Sequence, residues 1–178
     1  HARLARDADA IVARYSPAEA PDRQMARSAL LPLLHLVQAE DGFVSPTGIE
    51  FCADRLGLTG AEVTAVATFY SMYRREPTGD YLVGVCTNTL CAVMGGDAIY
   101  DALEDHVGTD DDLVTLTHIE CNAACDYAPV VMVNWEFFDN QTPESARALV
   151  DELRLGDEVL PTRGASLRTF KETQKILA

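Results

Sequence analysis

The chain has 178 residues, of which 48% are hydrophobic and 24% charged, proportions typical of a folded protein and not of a disordered or collagen-like one. Its 28 acidic and 14 basic side chains give a net charge of −14. Because an acidic surface repels phosphate backbones, we expect no nucleic-acid partner. No apolar run reaches the roughly 18 residues that a membrane-spanning helix needs, so we expect no direct membrane insertion. The chain begins at His1 without a secretory signal, and its true start is expected to lie upstream.

Residues 1–76 are predicted to form a small helical bundle. Apolar residues at helical spacing predict a first helix over Leu4–Arg14, ended by Ser16-Pro17. Asp22 is a candidate cap for a second, Leu-rich helix, in which Pro32 predicts a kink or a late start.

Two further helices complete the predicted bundle. Ser45-Pro46 has the residues of a helix start, and Gly57 follows the expected end at Leu56. Thr59 and Glu62 have the spacing of a capping box for a fourth helix, expected to reach about Tyr73.

Strands and helices are predicted to alternate over residues 80–155. The first two strands enclose a helix that begins near Gly95-Gly96, so they need a crossover and are expected to be parallel. The last two strands are joined by a tight turn and are expected to be antiparallel. A final helix is predicted from Thr142-Pro143 to about Leu155, with Gly156 past its end. The predicted strands are Tyr81–Val85, Leu113–Ile119, Pro129–Val133 and Trp135–Phe138.

These patterns predict an α+β fold in which a helical bundle precedes a domain with a mixed four-stranded sheet. The turn-rich linker Glu76–Asp80 separates the two parts. Residues 81–155 carry 14 acidic and 2 basic side chains, a net charge of −12. The predicted domains are residues 1–76, residues 80–155 and an extended tail over residues 156–178. The tail contains four basic side chains, and we expect it to dock on a partner protein.

Four of the five cysteines form two pairs in the acidic part of the chain. Four residues separate Cys86 from Cys91, and three separate Cys121 from Cys125. Without an export signal, a disulfide framework is disfavoured and metal or redox use is favoured. The loops that hold the pairs adjoin strands of one predicted sheet, so the four thiolates can converge on a metal centre.

The cysteine spacing favours a [2Fe–2S] cluster over a structural zinc ion. Zinc sites commonly use a two-residue knuckle on at least one side, whereas a two-iron cluster spreads its ligands over two irons. A zinc-stabilised interaction module, thiol–disulfide exchange and inert cysteines stay open as alternatives. Reduction would add negative charge to an already acidic domain, so a cluster here is expected to have a low potential. Residues 87–89 are expected to donate hydrogen bonds to sulfur. Residues 122–124 are small, so their backbone amides are expected to approach sulfur closely.

The remaining candidates have simpler interpretations. Cys52 is expected to be a buried, inert thiol, and His118 a strand-end histidine rather than a ligand. His35 is expected in the core or at an interface. Trp135 and Phe137 or Phe138 are expected to pack on the sheet.

Three stretches of sequence resemble a known protein family. They are VCTNTLC at 85–91, ECNAAC at 120–125 and APVVMVN at 128–134, and they resemble the thioredoxin-like [2Fe–2S] subunit of NADH:quinone oxidoreductase, respiratory complex I. Residues 27–38 and 66–73 resemble the helical N-terminal region of that subunit. The resemblance covers residues 10 to 155 approximately.

The resemblance implies a thioredoxin-like fold for the second domain, with Cys86, Cys91, Cys121 and Cys125 as ligands of one [2Fe–2S] cluster. It implies single-electron exchange with the FMN of a neighbouring NADH-oxidising subunit, with FMN and NAD bound only by that partner. No G-x-G-x-x-G fingerprint occurs in this chain.

Further expectations follow from the same resemblance. The large iron–sulfur subunit is the second expected partner, and the expected location is the peripheral arm on the cytoplasmic side of the bacterial inner membrane. No catalytic activity is expected from the chain alone. The equivalent subunit of an NAD-linked hydrogenase or formate dehydrogenase is the alternative. The family's fold also predicts a cis peptide bond between Ala128 and Pro129.

Overall fold

A computed structural model of the chain describes residues 2–16, 23–109 and 111–178. The described residues form two compact units. The helical unit comprises the described residues up to Pro77 together with Lys171–Ala178, and the sheet unit comprises Thr78–Phe170. Nowhere in these described ranges does a helix combine the length and hydrophobicity needed to cross a membrane.

The helices and strands follow one another in a mixed order. In chain order they are α1 (Ala2–Tyr15), α2 (Arg23–Ala26), α3 (Leu30–Asp41), α4 (Pro46–Leu56), α5 (Gly60–Phe69), β1 (Tyr81–Cys86), α6 (Thr89–Val93), α7 (Gly96–Val107), β2 (Val114–Ile119), β3 (Val131–Val133), β4 (Glu136–Phe138), α8 (Pro143–Leu155) and α9 (Phe170–Leu177).

The helix boundaries in the helical unit follow the capping residues of the sequence. The Ser45 side chain accepts a hydrogen bond from the Gly48 backbone N–H at 3.0 Å, which caps α4. Gly57 ends that helix in the left-handed conformation, with φ of 61°. Thr59 and Glu62 form the predicted capping box of α5.

Pro32 coincides with a late helix start, as predicted. After α2 the chain makes a 3-10 turn over Arg27–Ala29, and α3 begins at Leu30. Pro32 is therefore in the first turn of α3, where a missing backbone N–H costs no intrahelical hydrogen bond. The predicted stop at Pro17 and the predicted cap Asp22 lie outside the described residues.

Helix α5, the fourth helix predicted from the sequence, ends earlier than predicted, at Phe69 and not near Tyr73. The chain beyond it makes hydrogen bonds elsewhere in the helical unit. The backbone N–H of Arg74 donates to Gln38 Oε1 at 2.6 Å, and the Arg74 carbonyl accepts from the Val44 N–H at 2.7 Å. These tertiary hydrogen bonds replace the helical ones that the sequence pattern would continue.

The C-terminal segment is not extended over its last residues, contrary to the sequence expectation, because residues 170–177 form α9. Within the helical unit the buried Gln174 carboxamide joins two buried polar side chains of α3. Its Oε1 lies 2.7 Å from His35 Nδ1 and accepts from Gln38 Nε2 at 2.6 Å. These two hydrogen bonds fix the segment to α3, and such a tertiary contact is not indicated by the local sequence pattern of the tail.

The sheet has the strand order β2-β1-β3-β4. As predicted, β1 pairs with β2 in parallel, and β3 pairs with β4 antiparallel. The central strand β1 is buried from Leu82 to Cys86. Alternate residues Val83 and Val85 pack into a core with apolar side chains of α7 and α8, including Ile99 and Val150.

A two-residue turn at Asn134 and Trp135 joins β3 to β4. Both residues have positive φ, 47° and 72°, as a tight hairpin turn with the right-handed strand twist requires. The expectation that Trp135 is a strand residue packed on the sheet is wrong, since β4 begins at Glu136 and the indole stacks on Phe170 at 5.7 Å. Phe138 packs in the sheet core as expected.

Candidate functional site

The first cysteine pair lies at the end of the central strand. Cys86 is the last residue of β1, and its N–H donates to the Val130 carbonyl at 3.2 Å. Cys91 lies within α6, a short helix that the sequence analysis did not predict. Both thiols are buried, each with 3% of its surface exposed. We call residues 86–91 the first cysteine loop.

Two consecutive glycines close the first cysteine loop against α7. Gly95 has φ of 109°, which lets the chain reverse between α6 and α7. A Cβ at Gly96 would lie 2.5 Å from the Cys86 carbonyl oxygen and 2.9 Å from the Cys91 carbonyl oxygen. Only a residue without a side chain fits at this close approach of three backbone segments.

The second cysteine pair lies between β2 and β3 and is exposed. The sulfur atoms of Cys121 and Cys125 are 3.8 Å apart. The Ala123 N–H donates to Cys121 Sγ at 3.4 Å, and Ala123 has φ of 54°, so the chain curls around the sulfur. This bears out the expectation that small residues here allow an amide to approach sulfur. We call residues 121–125 the second cysteine loop.

Side chains of the first cysteine loop connect it to the end of β2, which leads into the second. Asn88 Nδ2 donates to the Ile119 carbonyl at 3.1 Å. Thr87 Oγ1 lies 3.3 Å from His118 Nδ1, and the imidazole stacks on Tyr100 at 3.5 Å. The sequence predicts that Thr87 and Asn88 donate to sulfur through their side chains and backbone N–H groups. Their side chains instead join the two ends of the site.

The thiols of the two pairs influence each other. Burial raises the pKa of Cys91 to about 11, a backbone hydrogen bond from Val130 opposes this, and Cys86 and Cys125 raise it further. The pKa of Cys125 is raised by the Cys121 thiol through hydrogen bonding and charge, by burial and then by Cys86. The raised pKa values favour the protonated thiols of Cys91 and Cys125, and a cationic group beside them would favour their thiolates.

The donor set fits a [2Fe–2S] cluster, in which four thiolates are shared by two irons. The 3.8 Å separation of the Cys121 and Cys125 sulfurs matches the edge of a tetrahedron around a metal with bonds of about 2.3 Å to sulfur. Over the described ranges 2–16, 23–109 and 111–178, no three or more His, Cys, Asp or Glu side chains are grouped closely enough for one ion. Two separate cysteine pairs suit two irons, each held by two thiolates.

The other sequence candidates have structural roles. Cys52 is fully buried in the core of the helical unit, where burial raises the pKa of its thiol to about 12 and keeps it protonated. His118 is held by Tyr100 and Thr87, and His35 by Gln174. The peptide bond between Ala128 and Pro129 is cis, as predicted.

Comparison with known proteins decides the family. The sequence pattern of the thioredoxin-like [2Fe–2S] ferredoxins matches residues 8–154. This chain belongs to that family. An NADH-quinone oxidoreductase subunit from Mycobacterium bovis is 68% identical over 183 aligned positions, covering 99% of this chain and 69% of the relative. Subunit 2 of the NADH-quinone oxidoreductase of Thermus thermophilus is 38% identical, over 73% of this chain and 76% of its own length.

The fold of this family member is also found within a larger enzyme. The crystal structure of an NAD⁺-reducing [NiFe]-hydrogenase in the air-oxidised state matches with a TM-score of 0.62, over 71% of this chain and 23% of the hydrogenase chain. The two sequences are 18% identical over this match, so the likeness concerns the fold alone. The α+β, thioredoxin-like fold class expected from the sequence is confirmed.

Some residues of the site were not found by sequence reasoning. Gly96 and Asn88 act through the backbone of distant segments, so no local pattern identifies them. Arg163 was noted only as a basic residue of the tail, yet its guanidinium lies 3.9 Å from Asp126, the residue after Cys125. Leu90, Val93 and Met94 flank Cys91 with exposed apolar side chains.

Proposed function

We propose that this chain is an electron-transfer subunit of an NADH:quinone oxidoreductase that carries one [2Fe–2S] cluster on Cys86, Cys91, Cys121 and Cys125. The observation that carries the proposal is the geometry of the two cysteine loops in a member of the thioredoxin-like [2Fe–2S] family. The Cys121 and Cys125 sulfurs are 3.8 Å apart, and Asn88 joins the first cysteine loop to the end of β2, which leads into the second. The 68% identity to a subunit of the Mycobacterium bovis NADH-quinone oxidoreductase supports the choice of complex.

The residues of the chain hold the carrier and control access to it. When bound, the cluster supplies a centre that accepts and returns one electron at a time. The buried Cys86 and Cys91 anchor one side of the site in the protein interior, whereas Cys121 and Cys125 are exposed. A redox partner can therefore approach closely at the second cysteine loop. No general acid or base is required for electron transfer.

The charge of the sheet unit supports a low reduction potential. Residues 78–170 carry 17 acidic and 4 basic side chains, a net charge of −13. Adding an electron to a site in this field is unfavourable, which lowers the potential. A potentiometric titration of the full chain with its cluster should give a negative midpoint potential. A strongly positive midpoint would contradict this assignment.

The proposed partners are the flavin- and NADH-binding subunit and the large iron–sulfur subunit of the complex. FMN and NAD are assigned to the first of these because the resemblance to the complex I subunit implies it. The proposed place is the peripheral arm, on the cytoplasmic side of the bacterial inner membrane. The family membership and the names of the relatives support these assignments.

The C-terminal segment is proposed to contact a partner through its exposed apolar side chains. Leu160 is 69% exposed and Ile176 62% exposed, and both lie in the tail expected to dock. Deletion of residues 157–178 would also remove Gln174 from His35 and Gln38, so substitutions test docking more cleanly. Leu160→Ser and Ile176→Ser together should weaken co-purification with the flavin subunit, and unchanged assembly would contradict docking.

Iron, acid-labile sulfide and zinc analysis tests the metal assignment. The anaerobically purified full chain should contain about two irons and two sulfides, and after dithionite reduction it should show one unpaired spin by EPR. Serine at Cys86, Cys91, Cys121 or Cys125 should each diminish or alter the EPR signal, whereas Cys52→Ser should leave it unchanged. One zinc and no EPR signal would instead establish the zinc-stabilised interaction module.

The second candidate is the equivalent subunit of an NAD-linked hydrogenase, the alternative that the family resemblance implies. Affinity purification of the tagged full chain from its own cells distinguishes the two. Co-purified NADH-dependent quinone reduction supports the first function. Co-purified nickel with hydrogen-dependent NAD⁺ reduction would support the second.

A further inference from the structure

Arg163 contacts two separate parts of the sheet unit. Its Nη2 donates to Asp139 Oδ1 at 3.1 Å, and the Asp139 carboxylate is almost fully buried. Its Nη1 lies 3.9 Å from Asp126 Oδ2. The guanidinium carbon lies 5.1 Å from the ring centroid of Tyr127 and 4.9 Å from that of Phe137, so the cation is held beside two aromatic rings.

Two of these contacts are made to residues that directly follow Cys125. Asp126 and Tyr127 complete the 3-10 turn that Cys125 begins. The Tyr127 N–H donates to the Ala124 carbonyl at 3.1 Å, and its carbonyl accepts from the Asn140 N–H at 2.9 Å. Arg163 thus adds a charged contact and a ring contact to the end of the exposed second cysteine loop.

The segment that carries Arg163 is itself fixed to β4 and the chain after it. The Thr162 N–H donates to the Phe137 carbonyl at 2.9 Å, and Thr162 Oγ1 accepts from the Asp139 N–H at 2.9 Å. Arg163 forms a β-bridge with Phe137. Because its backbone is held in this way, the arginine side chain can restrain the loop that it contacts instead of following the motion of that loop.

We propose that Arg163 is a positioning residue that holds the second cysteine loop in the conformation in which Cys121 and Cys125 retain the cluster. The inference rests on the proposed function for its reference to the cluster. The restraint on the loop itself is a property of the protein chain. The family match ends at residue 154, so Arg163 lies outside the segment that defines the family.

A set of four variants separates this role from general stability. Arg163→Gln removes the charge but leaves Asp139 buried without its partner, which can impair folding. The double variant Arg163→Gln with Asp139→Asn removes the pair together and keeps the fold testable. Arg163→Lys retains the charge without the planar donor geometry. The control is Arg168→Gln, which removes the same charge from an exposed position in the same segment.

Hydrogen–deuterium exchange of the metal-free full chain provides the first measurement. In the double variant the Tyr127 and Ala128 amides should exchange about tenfold faster than in the wild type, the scale of one lost hydrogen bond to a charged group. Amides of β1 and α7 should exchange at the wild-type rate. Unchanged exchange at Tyr127 and Ala128 would overturn the proposal, and so would equal acceleration throughout the sheet unit.

Iron release provides the second measurement. With a strong chelator in excess, the full chain carrying its cluster should lose iron about tenfold faster in the double variant, with an altered EPR signal, because the loop no longer holds two of the sulfurs. Arg163→Lys should recover part of the loss, and Arg168→Gln should match the wild type. Iron retention as in the wild type would refute the role of Arg163. A wild-type chain without iron and sulfide would refute the proposed function. In that case, hydrogen–deuterium exchange would still test whether Arg163 restrains the second cysteine loop.

Discussion

Gly96 lies where the backbones of the two residues of the first cysteine pair meet α7. A Cβ at this position would come within 2.5 Å of the Cys86 carbonyl oxygen, closer than side chains pack in folded proteins. The neighbouring atoms belong to the backbone, so they cannot move aside without moving the cysteines. Alanine at this position therefore tests how strictly the thiol positions depend on the close approach of three segments.

We expect Gly96→Ala to lower the free energy of unfolding of the sheet unit by about 1–3 kcal/mol, the usual cost of overpacking. The iron content of the purified chain should fall as the first cysteine loop shifts. Gly60→Ala is the matched control, because its Cβ would meet only Ile49 Cγ2, at 4.0 Å. Denaturant unfolding and iron analysis measure both effects. Equal behaviour of the two variants would show that the loop accommodates a methyl group.

His35 makes the stability of the helical unit dependent on pH. Burial lowers the pKa of His35 from 6.5, and the hydrogen bond with Gln174 partly opposes this. As pH falls below 6.5, the unfolded chain binds a proton on this residue before the folded chain does. The free energy of unfolding should therefore decrease with falling pH, by up to about 1.4 kcal/mol per pH unit, until the lowered pKa is reached.

His35→Asn provides the comparison for this prediction. The asparagine amide can replace the hydrogen bond of Nδ1 to Gln174 but does not titrate. The difference in unfolding free energy between wild type and variant, measured by denaturant titration from pH 8 to pH 5, should shrink as pH falls. Parallel pH profiles for the two proteins would show that His35 does not contribute.

Single residues can be identified from the sequence when their role depends on the chemistry of their own side chain. The cysteine pairs were singled out as candidate ligands because thiols at close spacing have few other uses. Gly96 and Arg163 were not, since their importance comes from atoms that lie 5 to 37 positions away in the chain. A glycine before a helix and an arginine in a tail are common, and only the folded chain shows what each one contacts.

Asn134 connects three elements of the sheet unit through one buried side chain. Its Oδ1 accepts from the Leu82 N–H of β1 at 2.8 Å. Its Nδ2 donates to the carbonyls of Asp80 at 2.9 Å and Arg168 at 2.8 Å. The β3–β4 turn, the start of β1 and the stretch that precedes α9 are thereby joined.

We expect Asn134→Ala to destabilise the sheet unit by about 2–4 kcal/mol, since the buried Leu82 N–H and the carbonyls of Asp80 and Arg168 lose a hydrogen-bond partner. Asn140→Ala is the matched control, because Asn140 also has positive φ, 51°, but is exposed. The backbone penalty of alanine is thus similar in both variants. Thermal unfolding should show the larger loss for Asn134, and equal losses would assign the effect to backbone strain alone.

The predicted bounds of helices are correct where local sequence signals and tertiary packing agree. The capped helices α4 and α8 have the predicted bounds because cap residues act within a few positions. The end of α5 was placed too late, since the hydrogen bonds of Arg74 to Gln38 and Val44 are not encoded locally. Helix α9 was missed for the same reason: Gln174 becomes buried only against α3, and neither segment alone indicates the other.

The acidic surplus of the sheet unit acts on the molecule as a whole. With a net charge of −13 over residues 78–170, each added electron is opposed by many carboxylates at moderate distances. Interactions over such distances are screened by salt, with a Debye length of about 10 Å at 0.1 M ionic strength. The low potential that we propose is therefore expected to depend on ionic strength.

We expect the midpoint potential of the chain with its cluster to rise as salt increases from about 0.02 M to about 0.5 M, because screening weakens the field that opposes reduction. Spectroscopically monitored redox titrations at several concentrations of a non-coordinating salt measure the effect. Sucrose at matched osmolality, which leaves the ionic strength unchanged, is the control. A potential that stays constant would mean that local hydrogen bonds and not distant carboxylates determine it.

The division into two units also has a consequence for biosynthesis. Residues 171–178 belong to the helical unit although residues 78–170 separate them from the rest of it. Protein units generally fold in the order in which they leave the ribosome. Here the N-terminal part of the helical unit stays incomplete until residues 78–170, which contain the two cysteine pairs, have been made. Until then Gln38 and His35 lack their Gln174 partner. Chaperones that recognise unfinished helical cores would thus have access to this protein throughout translation of the segment that is proposed to hold the cluster.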